Sequence, residues 1–180
     1  MTLHQDATDL LTNWNPPDAE QAGLRDHYVR HLAQYEDGLA RSCRPEHVTA
    51  SALVVDLSGS KVLLTLHRTV GRWLQLGGHC EPRDTTLAGA ALREATEESG
   101  LPGLMIDPAP LQLSRHELLV GGCKGGYHLD VQFLVTATEG TEYLVSEESH
   151  DLGWFGVDAL PDGIDETVEG LVNRAYRKVS

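Results

Sequence analysis

Apolar residues follow a helical spacing in the first part of the chain. Pro16, Pro17 and Asp18 are typical of a helix start, with proline in the first turn and aspartate near the cap. Beyond them, apolar residues recur at spacings of four, four, three and four, which places them on one helix face: Leu24, Tyr28, Leu32, Tyr35 and Leu39. We expect about the first 45 residues to be helical and this face to pack on the main body of the protein. A contact between two copies in a homodimer is the alternative.

From His47 onwards the pattern changes to that of β-strands. Residues 49–57 and 61–67 are rich in strand formers, and Ser58-Gly59-Ser60 between them predicts a hairpin turn. Residues 72–75 predict a short strand, followed by a glycine-containing loop. Residues 111–120 and 127–137 predict two more strands. In the second of these, apolar residues alternate with polar ones, which predicts an apolar face on the core and a polar, non-core face containing His128, Asp130 and Gln132.

Two more helices are predicted in the second half. One runs from about Thr86 to Ser99, because Gly100 suits a left-handed cap and Pro102 prevents continuation. After a short strand around Trp154-Phe155, the last helix places apolar residues on one side: Val168, Leu171, Val172 and Ala175. Helix, strands, helix, strands, helix is the order of an α+β or sandwiched-sheet fold rather than a regular βαβ series. We expect an N-terminal helical extension over 1–46 and a main domain over 47–180.

Charge and cysteine content narrow the classes of function. The 180-residue chain has 14 Lys and Arg against 27 Asp and Glu, a net charge of −13, which argues against nonspecific nucleic-acid binding. A phosphorylated substrate remains compatible, because divalent cations bridge anions. Three cysteines with no CxxC motif indicate a reducing cytoplasm. Neither a signal peptide nor an apolar run of the roughly 18 residues that a membrane span needs is visible, so no membrane partner is expected.

The predicted helix over 86–99 concentrates acid on one face. Glu94, Glu97 and Glu98 fall within an arc of about 100°, whereas the small apolar residues lie on another side. Such carboxylates repel one another unless Arg93, other basic groups or a cation compensates. Mg²⁺ is the expected cation because it prefers oxygen ligands. A solvated helix face is the alternative interpretation.

The order of residues around this cluster resembles the Nudix box, G-x5-E-x7-R-E-U-x-E-E-x-G-U, where U is apolar. Gly78 fits the opening glycine, and seven further positions match in order: Arg93, Glu94, Ala95, Glu97, Glu98, Gly100 and Leu101. Two departures lie in the loop half, over residues 78–92. The loop acid is Asp84 rather than glutamate, and eight residues instead of seven separate it from Arg93. We expect the extra residue at Thr85-Thr86, before the helix, where it leaves the glutamate cluster in place.

The resemblance implies a Nudix-type α/β/α sandwich with a mixed β-sheet over 47–180. It also implies hydrolysis of a diphosphate bond in a nucleoside diphosphate linked to another moiety, with Mg²⁺ or Mn²⁺. The metal would be held by Gly78, Glu94, Glu97 and Glu98, with Arg93 orienting the carboxylates, so that Arg93, Glu97 and Glu98 are catalytic. In the family the general base is either a glutamate of the box or an acid from a later loop. Glu148 in SEESHDLGWF is our candidate, with Glu147 beside it; two surface acids are the alternative.

Other residues suggest contacts with the substrate. His79 in the box, His128 on the strand over 127–137 and Trp73, which could stack on a base, are the candidate substrate-binding residues. His128 with Asp130 and His79 could instead hold a second metal, or be structural. Two other functions remain open, namely a nucleotide sensor without catalysis and a diphosphate isomerase that uses Cys80. The expected partner is a small nucleotide or diphosphate, and its identity is left open.

Overall fold

The computed structural model describes residues 1–119, 122–138 and 149–179. Four helices are present in this part of the chain: α1 (Leu3–Asn13), α2 (Ala19–Gln34), α3 (Leu87–Ser99) and α4 (Glu166–Val179). The strands are β1 (Glu46–Asp56), β2 (Lys61–His67), β3 (Trp73–Leu74), β4 (Leu76–His79), β5 (Leu104–Glu117), β6 (Tyr127–Ala137) and β7 (Ser149–Gly156).

The strands form one mixed sheet. Its main path runs β3-β2-β1-β6-β5, while β4 pairs with β1 and β7 pairs with β2. The central pair, β1 and β6, is parallel over its whole length, from Glu46 beside Tyr127 to Asp56 beside Ala137. The other pairings are antiparallel. A sheet with both kinds of pairing agrees with the expected mixed architecture.

Helices cover both faces of the sheet. On one face, α1, α2 and α3 share an apolar cluster with β1 and β6, which includes Leu11, Tyr28, Ala91 and Phe133. On the other face, the apolar side of α4 packs on Leu53, Leu64 and Leu134. This confirms the predicted α/β/α sandwich and the predicted core side of the last helix.

The N-terminal helix with the apolar face ends earlier than its spacing predicted. Asp18 caps α2 as expected, accepting a hydrogen bond from the Gln21 amide at 2.9 Å, but the helix ends at Gln34. Tyr35 is its extended C-cap and Leu39 lies in the following turn. The apolar spacing continues beyond the end of the helix because the following turn buries Leu39 in the same cluster as the helix face. The helix face packs inward, as the first interpretation held.

Polar contacts fasten α2 to the edge strand β5. The Gln21 side chain accepts from the Leu113 amide at 2.6 Å and donates to the Leu113 carbonyl at 3.1 Å. The hydroxyl of Tyr28 donates to the Ser114 carbonyl at 2.9 Å. Gln21 therefore satisfies backbone groups of β5 that a further strand would otherwise pair with.

Two predicted strand boundaries are wrong. The glycine-containing loop after residue 75 is partly strand, because Gly77 and Gly78 lie in β4 and pair with Ser51 and Ala50. A Cβ at Gly77 would clash with the side chain and backbone of Ser51, so glycine permits this close approach. The strand predicted over 111–120 begins instead at Leu104. Pro108 and Pro110 interrupt the strand pattern in the sequence, so the first half of β5 was not predicted. The pairing with β6 shifts register on both sides of Pro110, which an edge strand tolerates.

Candidate active site

Helix α3 presents the acidic face, and both of its ends are fixed. Thr86 is the N-cap and accepts from the Gly89 amide at 3.0 Å, while Asp6 of α1 accepts from the Leu87 amide at 2.9 Å. At the other end Gly100 has φ of 65° and forms the predicted left-handed cap. α3 is regular from Leu87 to Ser99, and Glu94, Glu97 and Glu98 keep the spacing of the family pattern along it.

Arg93 joins the loop to the helix. Its guanidinium contacts both oxygens of Asp84 at 3.0 Å, Glu94 at 2.9 Å and Glu97 at 3.0 Å, and donates to the His79 carbonyl at 3.1 Å. Burial alone would raise the pKa of Asp84, but hydrogen bonds from Arg93 and from the Glu81 amide outweigh it and lower that pKa. The pKa of Arg93 is raised, chiefly by its hydrogen bonds to Asp84. This bidentate pair fixes the guanidinium of Arg93 between the loop and α3.

The other glutamates differ in their surroundings. Glu98 is 8% exposed and accepts from the Gly77 amide at 3.0 Å, which ties α3 to β4. Glu97 is half-exposed and pairs with Arg83 at 2.7 Å. Glu94 lies against Gly78, where a Cβ would come within 2.8 Å of its Oε1. Glycine at this position therefore leaves room for the carboxylate beside the strand.

The site has an excess of negative charge. Among the described residues, five carboxylates gather here and face two guanidiniums, which leaves three negative charges unbalanced. The acids are Glu81, Asp84, Glu94, Glu97 and Glu98, and the bases are Arg83 and Arg93. The donors are carboxylate oxygens, the kind that hard divalent cations prefer. The arrangement therefore fits Mg²⁺ or Mn²⁺ in both charge and donor chemistry.

His79 and His128 lie side by side, and the sequence did not indicate their two further neighbours, His47 and Cys123. Their ring centroids are 4.9 Å apart, and His47 lies 5.2 Å from His79 and 4.9 Å from His128. Cys123 Sγ is 3.6 Å from His79 Nε2. Burial, helped by the His47 imidazole and Arg41, lowers the pKa of His79 to about 4. Burial also lowers the pKa of His128, to about 2, so both rings are neutral at pH 7.

The polar face of β6 is buried, contrary to the non-core position expected for it. Asp130 is 3% exposed and Gln132 is 1% exposed. Asp130 accepts four hydrogen bonds, from Thr49 (3.0 Å), Ser51 (2.6 Å), Gln75 (3.2 Å) and Gln132 (3.0 Å). The register of β1 against β6 makes burial tolerable, because it places hydroxyls opposite this carboxylate.

This network extends across the sheet to the helices. Gln112 donates to Gln132 at 2.7 Å and accepts from Arg174 of α4 at 3.1 Å. Arg174 also donates to Asp18, the cap of α2, at 3.1 Å. The buried Asp130 carboxylate is thus connected through the side-chain amides of Gln132 and Gln112 to the guanidinium of Arg174 on α4.

The remaining predicted residues lie apart from the acid cluster or outside the described residues. Trp73 packs edge-on against Phe155, with centroids 4.8 Å apart, in the cluster under α4 rather than against α3. Burial raises the pKa of the Cys80 thiol to about 12, so it supplies no thiolate at neutral pH. Glu147 and Glu148 lie outside the described residues.

Comparison with known proteins identifies the class of the domain. The model of the NUDIX domain family matches residues 45–174. The chain belongs to the Nudix hydrolase family. The recognised box, the fold and the prediction of a hydrolase are thereby confirmed. Among curated proteins, none matches this sequence.

Solved structures agree with this assignment. A NUDIX-family hydrolase from Clostridium perfringens is 25% identical, with a TM-score of 0.62, covering 74% of this chain and 98% of its own. An Ap4A hydrolase from C. elegans, in a binary complex, is 20% identical with a TM-score of 0.62 over 73% and 96%. The NUDIX domain of Shewanella oneidensis NrtR, complexed with ADP ribose, is 16% identical with a TM-score of 0.58 over 84% and 97%. The last two show likeness of fold alone.

Several residues of the site of this Nudix hydrolase escaped sequence reasoning. Asp6 caps α3 from a helix that lies outside the matched region. His47 and Cys123 had no spacing signal, since they join His79 and His128 only through the sheet register and a loop. Asp84 was indicated by its position in the box, and it pairs with Arg93 despite the extra residue.

In the described part of the chain, no helix is long and apolar enough to cross a membrane.

Proposed function

We propose that this Nudix hydrolase cleaves a diphosphate bond in a nucleoside diphosphate linked to another moiety, in a reaction that depends on Mg²⁺ or Mn²⁺. The observation that supports the proposal most directly is the excess of three negative charges around Gly78 and α3, gathered by Arg93. Without a cation, this cluster would repel the anionic diphosphate that it must bind.

Each residue of the cluster has a distinct task. Glu94, Glu97, Glu98 and the Gly78 carbonyl would hold the cation. When bound, the cation neutralises the diphosphate and lowers the pKa of coordinated water. Arg93 keeps Glu94 and Glu97 in orientation, and Asp84 keeps Arg93 in place. The Gly77 amide fixes the carboxylate of Glu98 toward β4.

The substrate is proposed from chemistry and from likeness of fold. Structural neighbours include an Ap4A hydrolase and a domain bound to ADP ribose, so a nucleotide joined through phosphates is the first class to test. Trp73, which is half-buried, is proposed to stack its ring on a base of the substrate.

The cysteines support a cytoplasmic location for the enzyme, because Cys43, Cys80 and Cys123 form no disulfide.

The deciding experiment compares Glu98→Gln with the wild-type enzyme. Purified proteins would meet a panel of nucleoside-diphosphate-linked compounds with Mg²⁺ or Mn²⁺, and a coupled phosphatase would report phosphate release. Glu98→Gln should reduce turnover of the preferred compound by at least about 100-fold. The loss should occur with little change in thermal stability, because glutamine can still accept from the Gly77 amide.

Glu169→Gln is the matched control, because Glu169 is exposed on α4. It should leave turnover unchanged. Equal turnover in wild type and Glu98→Gln would contradict the site assignment. Tight nucleotide binding with no phosphate release from any compound would favour a sensor. Conversion without phosphate release that is lost in Cys80→Ser would favour an isomerase.

We propose Glu148 as the general base, with Glu147 as the alternative. Glu148→Gln should slow the chemical step in single-turnover measurements and leave the affinity for Mn²⁺ within about twofold of wild type. Weakened Mn²⁺ binding would instead make Glu148 a metal ligand. Unchanged kinetics in Glu148→Gln, together with slow kinetics in Glu147→Gln, would move the role to the neighbouring residue.

A further inference from the structure

Three imidazoles and one thiol converge beside β4, outside the carboxylate cluster. They belong to His47, His79, Cys123 and His128, and their ligand atoms all lie within 4.8 Å of one another. His47 and Cys123 are buried, and the other two are partly buried. Core packing alone does not account for three imidazole rings beside one thiol, because each ring has polar nitrogens that need hydrogen-bond partners when buried.

Two of those nitrogens have no hydrogen-bond partner. Among the described residues, Nε2 of His47 and Nε2 of His128 are buried and unsatisfied. Buried polar atoms nearly always have a hydrogen-bond partner. Two unpartnered nitrogens in one cluster therefore indicate a ligand that binds there. His47 Nδ1 lies 3.3 Å from the Cys43 carbonyl. This contact places the proton on Nδ1 and leaves the lone pair of the unpartnered Nε2 free to bind a ligand, as in metal-binding histidines.

The backbone holds these four residues at fixed positions. His47 and His128 are register partners in the central parallel pair, and His79 ends β4. Arg44 fastens the loop that contains Cys123, donating to the Cys123 carbonyl at 2.9 Å and to the Gly122 carbonyl at 3.1 Å. The cluster is therefore built from three strands and one anchored loop rather than from mobile side chains.

We propose that His47, His79, Cys123 and His128 form a tetrahedral Zn²⁺ site. Imidazole and thiolate are the ligands that zinc prefers, whereas Mg²⁺ prefers oxygen, so the two sites select different metals. Zinc–ligand bonds of about 2.0–2.3 Å place tetrahedral donors about 3.3–3.7 Å apart. The 3.6 Å between Cys123 Sγ and His79 Nε2 is already in that range.

The site acts as a structural staple for the Nudix box. Four protein ligands complete a tetrahedral shell and leave no position for water or substrate. His79 links the two sites, because its ring joins the cluster while its carbonyl accepts from Arg93 at 3.1 Å. Zinc would therefore fix β4, and with it Gly77 and Gly78, against β1 and β6. This inference holds whichever diphosphate the enzyme cleaves.

The test measures metal binding directly, with the full chain and with Mg²⁺ in excess to fill the carboxylate site. Metal analysis of the purified protein should find about one zinc per chain. Cobalt added to metal-free protein should give the intense bands of tetrahedral Co²⁺ and a sulfur-to-cobalt charge-transfer band. Cys123→Ser should abolish the charge-transfer band, and His128→Gln should weaken zinc binding by at least about 100-fold.

Cys80→Ser is the matched control, because Cys80 adjoins His79 but lies outside the four-residue group; it should leave the spectrum unchanged. In wild type, a zinc chelator should lower Tm, and Zn²⁺ but not Mg²⁺ should restore it, so the test survives if a variant fails to fold. The proposal is overturned by metal-free protein that binds neither Zn²⁺ nor Co²⁺. A cobalt–sulfur band that persists in Cys123→Ser, or is lost in Cys80→Ser, would also overturn it.

Discussion

Arg93 shows how much of the candidate active site depends on one side chain. Its side chain is 13% exposed and donates hydrogen bonds to three carboxylates and one backbone carbonyl. A guanidinium has five donors in a planar fork, which allows it to bind Asp84 with two parallel hydrogen bonds and still reach Glu94 and Glu97. A single ammonium cannot satisfy this geometry. Arg93 thus gathers the negative charge that we propose a divalent cation offsets.

Arg93→Lys should therefore harm both stability and catalysis. We expect a loss of about 2 kcal/mol in the free energy of unfolding, because Asp84 is 5% exposed and would lose its bidentate partner. Turnover should fall by at least about tenfold through misplaced carboxylates. Urea unfolding and steady-state kinetics would measure the two effects. Arg25→Lys, at an ion pair on the surface of α2, is the control and should change neither; equal effects in both variants would argue against the role of Arg93.

Helix α3 is positioned by its ends as much as by its buried side. Thr86 and Asp6 both accept hydrogen bonds from its first turn, and Gly100 ends it in the left-handed region. These caps supply partners for backbone groups that lack them inside the helix. Since Glu94, Glu97 and Glu98 lie in the second half of this helix, its C-terminal geometry decides where the carboxylates point.

Gly100→Ala should lower the free energy of unfolding by about 1 kcal/mol, because φ of 65° disfavours a residue with a Cβ. Gly170→Ala is the matched comparison within α4, where a Cβ would meet nothing within 4 Å. That substitution should stabilise the protein by up to about 1 kcal/mol through helix propensity. Urea unfolding curves would measure both changes. Destabilisation by Gly170→Ala, or none by Gly100→Ala, would contradict this account of the cap.

At the scale of the molecule, the N-terminal helices belong to the same packed body as the catalytic fold. The family model begins at residue 45, yet Ala7, Leu11, Tyr28 and Leu32 lie in one apolar cluster with β1, β6 and α3. The hydrogen bonds that Gln21 and Tyr28 form with β5 add to that packing. The region over 1–46 therefore covers one face of the sheet.

Gln21→Ala should lower the free energy of unfolding by about 2 kcal/mol, because it removes two hydrogen bonds and leaves the Leu113 backbone unpaired in a buried place. Gln34→Ala in the same helix is the control, since Gln34 is exposed, and it should be neutral or slightly stabilising. Urea titrations with unchanged m-values would isolate the effect. Equal stability of the two variants would show that α2 docks without this contact.

How far the sequence could predict this molecule depended on the range of each interaction. Residues 86–101 were predictable because caps, glutamate spacing and Arg93 all act within a few turns. The end of α2 was not, because burial of Leu39 in a turn imitates helical spacing. The strand at Gly77-Gly78 depends on contact with Ser51, 26 residues earlier. His47 meets Cys123 only because β1 pairs with β6 and Arg44 anchors the loop that contains Cys123, so no local sequence pattern could indicate the group.

The parallel pairing of β1 with β6 also sets an order in time. Thr49 and Asp130 are 81 residues apart, and Gln21 and Leu113 are 92 apart. At roughly 5–20 residues per second of synthesis, Gln21 waits about 5–18 s for its partner to be made. Stalled nascent chains should show resistance to protease only after Ala137 has left the ribosome, and earlier resistance would contradict this order. Until then, the sheet on which the apolar side of α2 packs is incomplete. That apolar surface is therefore exposed to solvent as the nascent chain leaves the ribosome, and a chaperone can bind it before the domain folds.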